Sequence, residues 1–530
     1  MAEGANRFHI LALAPFCGDA GARLIRPVPV PDREGLDRAL KALSPSLTVP
    51  VDAKGIPGGA LTVAASGMSS FTPRGVVEAC PFLGRLSRAA DRVAEETRRG
   101  TDEERIARIV RKGWPDLPPD LTAAAGTPVR EKSAEPGVVD DILAMVAMPG
   151  GEGRPPSAAR AGAGTVKARM EGLLARLLKA VFDHETFRVL EASWRGAETL
   201  VRQGPIQAGE AVSLALCPVT VETLAKTLES LKASLAPDPP GLVLVDLAFE
   251  SSPPHVERLA QVADLAADLL VPTAVWAPAR FFHLASWSGL KTLPYLPHHL
   301  EDAAYAKWRR LREHAGARWT ALLVNRFRVR LPYGKDHPPG PAFFEEEAAP
   351  WIAPVWALGV LMARSAVRWG WPTRFTDPDP CVLRDLAVET GREGGAWSTE
   401  AQLSEDRVAE FVASGFTPLV GARKRDTAFL PRQTTFSGDD MAFQAFLNRL
   451  LGSLYRLRAT RSEAEGPPSD AEVIEHLAAL FRRTGHEPPE DLSAGVETGP
   501  SEETARIRIS LTPPATLLRK AGPVAFDLTW

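Results

Sequence analysis

The stretch FDHETFRVLEASWRGAETLV, residues 182–201, has the spacing of a helix but carries Trp194, Arg195 and Gly196 in its middle. This block marks either a catalytic centre or a joint between packed elements. The chemistry of its side chains favours a joint. A buried Trp194 would anchor the helix by covering about 200 Å² of surface, and Arg195 would pair with Glu191 one turn earlier. Gly196 would let the backbone of another element approach closely.

The composition indicates a large soluble protein without charge-driven partners. A chain of 530 residues exceeds what one hydrophobic core usually supports, which predicts several domains. Apolar residues make up 45% and charged residues 24%, and a net charge of −3 gives no electrostatic reason to expect nucleic acid or an anionic membrane as a partner. No apolar run approaches the roughly 20 residues that cross a bilayer, so we expect no direct membrane insertion. The first residues lack the basic region and cleavage site of a secretory signal, which predicts a cytoplasmic protein.

Composition also divides the chain into three parts. Residues 1–112 alternate strand-like and helical patterns and are predicted to form an N-terminal domain. Residues 113–165 are rich in proline and glycine, which predicts a linker containing a short apolar helix at 138–148. In the remaining region, 166–530, helical stretches alternate with the predicted strands 211–219, 241–250, 270–278 and 318–334. This alternation predicts an α/β fold (mixed α+β), with mixed β-sheets flanked by helices.

The end of the chain has the clearest strand pattern. Residues 506–511 and 523–530 alternate apolar and polar side chains, so that each predicted strand has one buried face. The apolar positions are Ile507, Ile509, Val524, Phe526, Leu528 and Trp530. Because chain ends usually fray, a strand that ends on tryptophan needs a sheet to hold it, either its own or that of a neighbouring subunit.

A search for chemistry yields one weak candidate. The sequence lacks a phosphate-binding P-loop, HExxH, GxSxG and a dinucleotide fingerprint. Asp246, Glu250 and His255 follow the core of a predicted parallel strand, where α/β proteins bind ligands. The alternative is that they end the strand and begin the next helix. The acidic run FFEEE, 343–347, could hold a metal, but adjacent carboxylates point in different directions on any regular element, so we expect a solvated helix start. The cysteines are far apart, so we predict neither a zinc site nor disulfides. Taken together, these patterns predict no catalytic, cofactor-binding or metal-binding residues.

Several blocks, in order, resemble the large sheath subunit of the bacterial type VI secretion system, the TssC (VipB, ImpC/EvpB) family. They are the WRG helix, RWTALLVNRFRVRLPYG with FFEEE after it, VRWGWPTRF (367–375), Thr399-Glu400 and SGFTPLV (414–420), and together they cover about residues 137–530. The matching positions singled out as structural are Glu191, Trp194, Arg195, Gly196, Arg330, Pro332, Tyr333, Gly334, Gly415 and Phe416. Two features depart from the family pattern. The segment between the first two blocks is short, and Arg328 stands where the family usually has an apolar residue.

The N-terminal part resembles the small sheath subunit, the TssB (VipA) family. The matching segments are ALKALSPSLTV (39–49) and the helical SFTPRGVVEACPFLGRLSRAADRV (70–93). The sequence is thus similar to both sheath subunits joined in one chain. Such a fusion would fix their stoichiometry and raise their effective concentration.

The resemblance implies a structural subunit that polymerises into a contractile helical tube around an inner tube and needs no cofactor. The implied partners are other copies of the chain, the inner-tube protein and the baseplate, and strands 506–511 and 523–530 are candidates for exchange between subunits. A Clp-type AAA+ unfoldase recognises a helix in this family, here with the apolar face Val138, Ile142, Leu143 and Val146. The alternative for that helix is permanent docking on its own core. A sheath-like baseplate or cap protein and an α/β enzyme remain the alternative functions.

Overall fold

The structure is a computed structural model that describes residues 7–19, 26–52, 56–123, 165–207, 211–390, 396–461, 466–498, 505–519 and 522–530. The strands are β1 Phe8–Ala14, β2 Val28–Val30, β3 Ser46–Pro50, β4 Ala60–Ala64, β5 Val212–Pro218, β6 Leu242–Ala248, β7 Thr273–Ala277, β8 Thr320–Val324, β9 Glu389–Thr390, β10 Ala396–Trp397, β11 Phe416–Pro418, β12 Val420–Gly421, β13 Ala428–Phe429, β14 Ser493–Thr498, β15 Ala505–Leu511 and β16 Val524–Thr529. The α-helices are α1 Arg33–Leu43, α2 Pro73–Ala79, α3 Pro81–Arg98, α4 Glu103–Gly113, α5 Val166–Phe182, α6 Glu185–Gln203, α7 Leu224–Leu235, α8 Pro253–Leu269, α9 Leu296–His299, α10 Ala306–Arg312, α11 Pro354–Trp369, α12 Glu405–Ala413, α13 Met441–Thr460 and α14 Asp470–Arg483.

A seven-stranded sheet forms the centre of the fold. Its strand order is β11-β8-β7-β6-β1-β5-β2, and all neighbours run parallel except the antiparallel edge pair β5 and β2. The central strands are largely apolar, as in the β6 sequence LVLVDLA, where Asp246 is the exception, and this is typical of a sheet covered on both faces. The predicted α/β fold class is therefore confirmed.

Helices cover both faces of this sheet and enclose two hydrophobic cores. Successive side chains of a strand point to opposite faces, so Ile10 and Ala12 of β1 enter one core while Leu11 and Leu13 enter the other. Helices α6, α11 and α13 pack on the first face. Helices α7, α8, α10 and α12 pack on the second.

Strand β1, which belongs to the predicted N-terminal domain at 1–112, is not part of a separate sheet. It lies inside the large sheet, paired in parallel with β5 along its whole length and with β6 over Ile10–Leu13. Its side chains therefore complete both cores of the region 166–530. The N-terminal segment does contribute local structure, including the β3–β4 hairpin and helices α1 to α4, but it shares its first strand with the rest of the chain.

The predicted strand 318–334 is wrong in length. Strand β8 ends at Val324 because Asn325 adopts a left-handed backbone, with φ 74°, which interrupts the extended conformation. The strand-to-strand hydrogen bonds end here, and the Asn325 side chain instead donates to the carbonyls of Ala401 and Leu419, at 2.9 and 2.8 Å. The segment that follows, with Arg330 and Tyr333, is an irregular loop rather than a strand.

The chain end forms a separate antiparallel sheet of order β14-β15-β16. Strands β15 and β16 agree with the predicted strands 506–511 and 523–530, and Ile507 and Ile509 are fully buried. Strand β14 was not predicted. The predicted helix 138–148 and most of the predicted linker 113–165 lie outside the described residues.

The position of β1 predicts that residues 165–530 cannot fold without the N-terminal segment. Removing β1 would leave β5 and β6 with unpaired edges and expose both cores. We expect residues 165–530, produced alone, to be insoluble, and residues 1–123 and 165–530 produced together as two polypeptides to form one complex. Size-exclusion chromatography after co-expression measures this. A soluble 165–530 fragment with a cooperative thermal transition would contradict the shared sheet.

Candidate functional site

Helix α6 contains the WRG block and is buried over most of its surface. Its buried side chains include polar ones, which is unusual for a helix inside a core. The buried residues are Phe187, Leu190, Glu191, Ser193, Trp194, Gly196, Ala197, Thr199, Leu200, Val201 and Gln203. Ser193 and Thr199 can donate to carbonyls one turn earlier in the same helix, whereas Glu191 and Gln203 have their partners elsewhere in the chain. The surroundings of these residues define the candidate site.

Trp194 attaches this helix to the N-terminal segment. Its side chain is fully buried, and its indole N–H donates to the carbonyl of Phe16 at 3.1 Å. The two aromatic rings also pack together, with centroids 5.0 Å apart. The predicted role of Trp194 as an anchor agrees with this geometry, and the element that it anchors is the loop directly after β1.

Gly196 corrects a detail of the prediction, since the close neighbour is a side chain and not a backbone. A Cβ atom at this position would lie 2.4 Å from the indole of Trp356 in α11. No side chain larger than hydrogen fits without moving that fully buried tryptophan. The glycine therefore lets α6 and α11 pack with an indole between them.

Asp246 holds the two helices to the sheet. It lies in β6, and its Oδ2 accepts from the Trp356 indole N–H at 2.8 Å and from the Ser193 hydroxyl at 3.2 Å. Its Oδ1 accepts from the indole N–H of Trp276 in β7 at 3.2 Å. Burial raises the pKa of the Asp246 carboxyl, and the three hydrogen bonds oppose that shift only in part. The carboxyl is occupied by protein donors, which is what a structural group requires.

The structure does not assemble the enzymatic candidate from Asp246, Glu250 and His255. Asp246 faces α6 and α11 on one face of the sheet, whereas His255 belongs to α8 on the opposite face, beside Phe249. The Nδ1 atom of His255 accepts from the Glu250 backbone N–H at 2.8 Å, a local bond at the start of the helix. The alternative interpretation, in which these residues end a strand and begin a helix, fits this geometry.

A buried ion cluster fixes the other side of α6. Glu191 is fully buried, and both of its oxygens accept from the guanidinium of Arg330 at 2.8 Å. The same guanidinium binds both oxygens of buried Glu346, at 2.6 and 2.9 Å. Arg195 adds the predicted contact one turn from Glu191, at 3.5 Å. Arg195 also pairs with Glu198 at 3.0 Å, so each charged group of the cluster has an opposite charge beside it.

Arg330 joins the loop that contains it to the acidic run 343–347. The Glu346 carboxylate also accepts from the backbone N–H of Tyr333 at 2.9 Å, and the guanidinium lies 4.6 Å from the centre of the Tyr333 ring. Burial alone would lower the pKa of Arg330, but the two carboxylates raise it above its ordinary value. The run is thus not a solvated helix start, because Glu346 is needed to compensate a buried arginine.

The other predicted structural residues are distributed over the molecule. Pro332 and Gly334 are partly exposed in the Arg330 loop, and Phe416 is buried in β11. Gly415 has φ 87°, and a Cβ there would approach the carbonyl oxygen of Phe436 to 2.7 Å. In the C-terminal sheet Leu528 is buried, and the side chains of Val524, Phe526 and Trp530 are half-buried. The proposed unfoldase-recognition residues Val138, Ile142, Leu143 and Val146 lie outside the described residues.

Sequence reasoning missed several residues of the site. Ser193, Trp276 and Trp356 bind Asp246, and Glu346 binds Arg330. The sequence did contain a signal for the Asp246 contacts. A buried indole N–H needs a hydrogen-bond acceptor, and Asp246 is an acidic residue within an otherwise apolar strand, so a contact between Asp246 and a tryptophan could have been expected. Arg328, which departs from the family pattern, is buried too, stacked over Trp351 at 4.4 Å and paired with Glu389.

Other kinds of site are not evident in the part of the chain that the structure describes. Among these residues no group of three or more histidines, cysteines, aspartates and glutamates could hold a metal ion. No described helix has the length and apolarity needed to cross a membrane. The four cysteines, Cys17, Cys80, Cys217 and Cys381, are buried and unbridged.

Comparison with known proteins identifies relatives of this chain. Residues 165–436, slightly more than half of the chain, match the VipB family model, described as EvpB/VC_A0108, tail sheath N-terminal domain. The type VI secretion system sheath protein TssC1 of Pseudomonas aeruginosa is 27% identical over 303 residues. That match covers 51% of this chain and 60% of the relative, so the chain spans less than two thirds of the relative's length.

A solved structure is also similar in part. It is the six-fold symmetrised baseplate of the anti-feeding prophage, with 8% sequence identity and a TM-score of 0.32. The match covers 63% of this chain and 76% of that chain. Because the TM-score is low, we draw no conclusion from this likeness.

The contact between Gly196 and Trp356 predicts a large effect of one methyl group. We expect Gly196→Ala to destabilise the protein by about 1–3 kcal/mol because the indole must move within a packed core. Gly172→Ala is the matched control, since Gly172 is an exposed glycine in helix α5 with no atom near its missing Cβ. That control should stabilise the protein by about 0.5–1 kcal/mol through helix propensity. Denaturant unfolding measures both, and equal effects would refute the contact.

We expect the substitution Asp246→Asn to change the free energy of unfolding by an amount that depends on pH. Asparagine has one acceptor oxygen, so at least one indole N–H loses its partner, at a cost of about 1–3 kcal/mol. The raised native pKa means that the unaltered protein loses stability as pH rises from the ordinary aspartate value, about 3.9, through the native pKa. The asparagine variant lacks this loss.

The stability difference between the two proteins should therefore shrink as pH increases above about 4. Denaturant titrations at several pH values measure it, and using the difference removes the contribution of other titrating groups. A constant difference, or one that grows with pH, would disprove the assignment of Asp246 as a buried group with a raised pKa.

Proposed function

Since this chain belongs to the VipB family of tail sheath proteins, we propose that it is a structural subunit of a contractile type VI secretion sheath. The observation that carries the proposal is the family match over residues 165–436, supported by the similarity to a sheath protein of Pseudomonas aeruginosa. In this role copies of the chain polymerise in the cytoplasm into a helical tube around an inner tube. Contraction of the sheath then propels the inner tube for effector delivery.

We further propose that the N-terminal segment takes the role that a small sheath subunit would have. The central position of β1 supports this, because a strand shared between two regions makes them fold and function as one body. Fusion keeps the two parts at equal numbers and at a high effective concentration. The proposed partners are other copies of the chain, the inner-tube protein and the baseplate.

The C-terminal sheet offers an edge for linking one subunit to the next. The Trp530 backbone N–H donates to the carbonyl of Ala505, which lies directly opposite in the register. Because hydrogen-bonded and non-bonded pairs alternate in antiparallel strands, the backbone N–H groups of Ala525, Asp527 and Thr529 point away from β15. Among the described residues no strand pairs with this outer edge of β16. A strand from a neighbouring subunit would bind there through main-chain hydrogen bonds.

The alternative role is a sheath-like baseplate or cap component, which differs from a sheath subunit in not forming tubes.

We also propose that a Clp-type AAA+ unfoldase recycles the protein by recognising residues 138–148. Binding of a peptide with that sequence to the unfoldase tests this.

Negative-stain electron microscopy of the chain, produced alone and together with the inner-tube protein, tests the main proposal. A sheath subunit gives helical tubes or cogwheel-like rings in at least one preparation, and deletion of residues 523–530 abolishes them. Particles without tubes in both preparations favour the baseplate or cap role.

The outer edge of β16 predicts a more selective variant. Ala525→Pro removes one outward-pointing N–H but leaves the pairing with β15, so the subunit should stay folded and lose tube formation. Ala525→Ser keeps the N–H and is the matched control, expected to form tubes normally. Thermal unfolding verifies that both variants are folded. Normal tubes from a folded Ala525→Pro protein would show that subunits are linked elsewhere.

A further inference from the structure

Two exposed apolar side chains lie in surroundings of opposite charge. Four large apolar side chains are exposed in the part of the chain that the structure describes, and Phe343 and Val367 are two of them, at 56% and 46%. Phe343 precedes two exposed glutamates, whereas Val367 lies between two arginines of helix α11. An exposed apolar group inside a charged rim is typical of a surface that binds another protein.

The surroundings of Phe343 are acidic. Side chains along residues 342–347 are alternately buried and exposed, as in a strand, so Phe343, Glu345 and Glu347 point to the same side. We call these three side chains the acidic strip. Within the described ranges Glu345 has no ion pair, and Glu347 reaches only Lys179, at 3.8 Å. The strip therefore presents an aromatic ring and two largely uncompensated carboxylates to solvent.

The backbone of the strip is held in place by the end of helix α5 and the residue after it. The Glu347 backbone N–H donates to Asp183 Oδ1 at 2.9 Å, and the Glu345 carbonyl accepts from Lys179 Nζ at 3.2 Å. The buried Glu346 between them is bound to Arg330. A surface that is already fixed loses little conformational freedom when it binds, which favours a stable contact.

The surroundings of Val367 are basic. A cavity of about 470 Å³, which we call the arginine pocket, is lined by Pro205, Arg364, Val367, Arg368, Pro380 and Arg384. Arg364, Val367 and Arg368 lie on one side of α11, because residues three and four apart are neighbours on a helix. Three guanidiniums and no carboxylate therefore line an apolar floor.

Two of these guanidiniums are available to a partner. Arg364 is a fixed wall, since its Nε donates to the Gln203 carbonyl at 2.8 Å. Arg368 and Arg384 are exposed, and neither forms an ion pair with any residue that the structure describes. An acidic neighbour, Asp385, is 73% exposed and 4.0 Å from Arg202, so water weakens its effect. The pocket therefore carries a surplus of positive charge around an exposed apolar side chain.

The acidic strip and the arginine pocket lie at opposite ends of helix α6. The strip is bound to Asp183, directly before that helix, and the pocket adjoins Gln203, its last residue. A helix of 19 residues is about 28 Å long, so the two surfaces do not meet within one chain. Two different surfaces that complement each other join copies head to tail, which generates rings or open helical filaments.

We propose that the acidic strip of one copy docks into the arginine pocket of the next copy. Phe343 covers Val367 on the pocket floor, while Glu345 and Glu347 face the guanidiniums of Arg368 and Arg384. A buried aromatic ring inside a polar rim is the usual arrangement of an interface hot spot. The opposite charges fix the orientation of the two copies, and the arginine fork matches a carboxylate in pairs.

This contact deepens the proposed function and rests on it, because it names a surface through which copies of the chain assemble. It is distinct from the outer edge of β16, which binds by main-chain hydrogen bonds. Side-chain contacts of this kind specify which face of a neighbour is bound, whereas a strand edge accepts many sequences.

Charge reversal on each surface tests the contact, with sedimentation velocity of the full chain as the measure of association. The double variants Glu345→Lys/Glu347→Lys and Arg368→Glu/Arg384→Glu should each weaken self-association at least about tenfold, because like charges then face each other. An equimolar mixture of the two variants should restore association, since the basic strip of one fits the acidic pocket of the other. Reversing two exposed glutamates outside both surfaces, in Glu229→Lys/Glu490→Lys, is the matched control and should leave association unchanged.

The aromatic anchor has its own control. Phe343→Ala should weaken self-association at least about tenfold, as expected for a hot-spot aromatic residue. Tyr295→Ala is the matched control, because Tyr295 is the other exposed aromatic side chain in the described part of the chain, at 63%, and belongs to neither surface. Thermal unfolding verifies that every variant is folded.

The mixture separates this contact from the proposed sheath role. Tubes or rings that both reversals leave intact would overturn the contact and leave the sheath role standing, with the two surfaces then serving other proteins. Association that each reversal abolishes and the mixture restores, but without tubes, would support the contact and contradict the sheath role. Failure of the mixture to restore association, or an unaltered chain that stays monomeric at every concentration, would overturn the contact as well.

Discussion

The burial of helix α6 is the constraint on which the rest of the structure depends. A helix inside a core can keep polar side chains only if other segments satisfy them, because an unpaired buried charge costs several kcal/mol. Glu191 therefore requires Arg330, whereas the Ser193 hydroxyl lies within donating distance of Asp246, at 3.2 Å, and of the Val189 carbonyl one turn earlier, at 3.1 Å. At the end of the helix the Gln203 side chain exchanges two hydrogen bonds with the backbone of Arg384. The hydrogen bonds and ion pairs of this one helix therefore position loops and strands that are far apart in sequence.

Such a cluster gives specificity more than stability. Replacing a buried ion pair with apolar residues of similar volume is often neutral, whereas removal of one partner alone costs about 3–5 kcal/mol. The Glu191–Arg330–Glu346 cluster thus contributes little over an apolar core in the correct fold, but it penalises every arrangement that separates its members. The loop of Arg330 has no regular secondary structure, so these bonds, together with the packing of Tyr333 on Phe182, hold it in position.

The sequence predicted those features that depend on local spacing. The α/β class and the buried central strands follow from apolar runs and helical periodicity, which involve near neighbours. The interpretation of the WRG block as a joint came from the chemistry of its side chains and not from periodicity. The contact from Arg195 to Glu191 was predictable from helical spacing. The stronger partner, Arg330, is 139 residues from Glu191, and periodicity has no information about such a distance. The sequence likewise indicated that Gly196 needs space, but not that an indole fills it.

Strand order was beyond local reasoning as well. Nothing in FHILALA distinguishes a strand at the edge of a small domain from one at the centre of a large sheet, since both are apolar. The length of β8 was predicted wrongly because RFRVRL continues a strand-like alternation, while the left-handed Asn325 ends the strand. Its side-chain bonds to Ala401 and Leu419 stabilise that backbone, and they come from segments more than 70 residues away.

If the chain acts as a sheath subunit, these same interactions determine which parts can move. A contracting lattice must rearrange contacts between subunits while each subunit stays intact. The central sheet and α6 cannot change separately, because any shift between them would expose Asp246 or Glu191 without partners in a low-dielectric interior. The outer edge of β16 has no such restriction, since main-chain hydrogen bonds do not depend on which side chains face them. Motion should therefore occur between rigid subunits that remain joined through strands, and the buried polar groups make the subunit rigid enough for that.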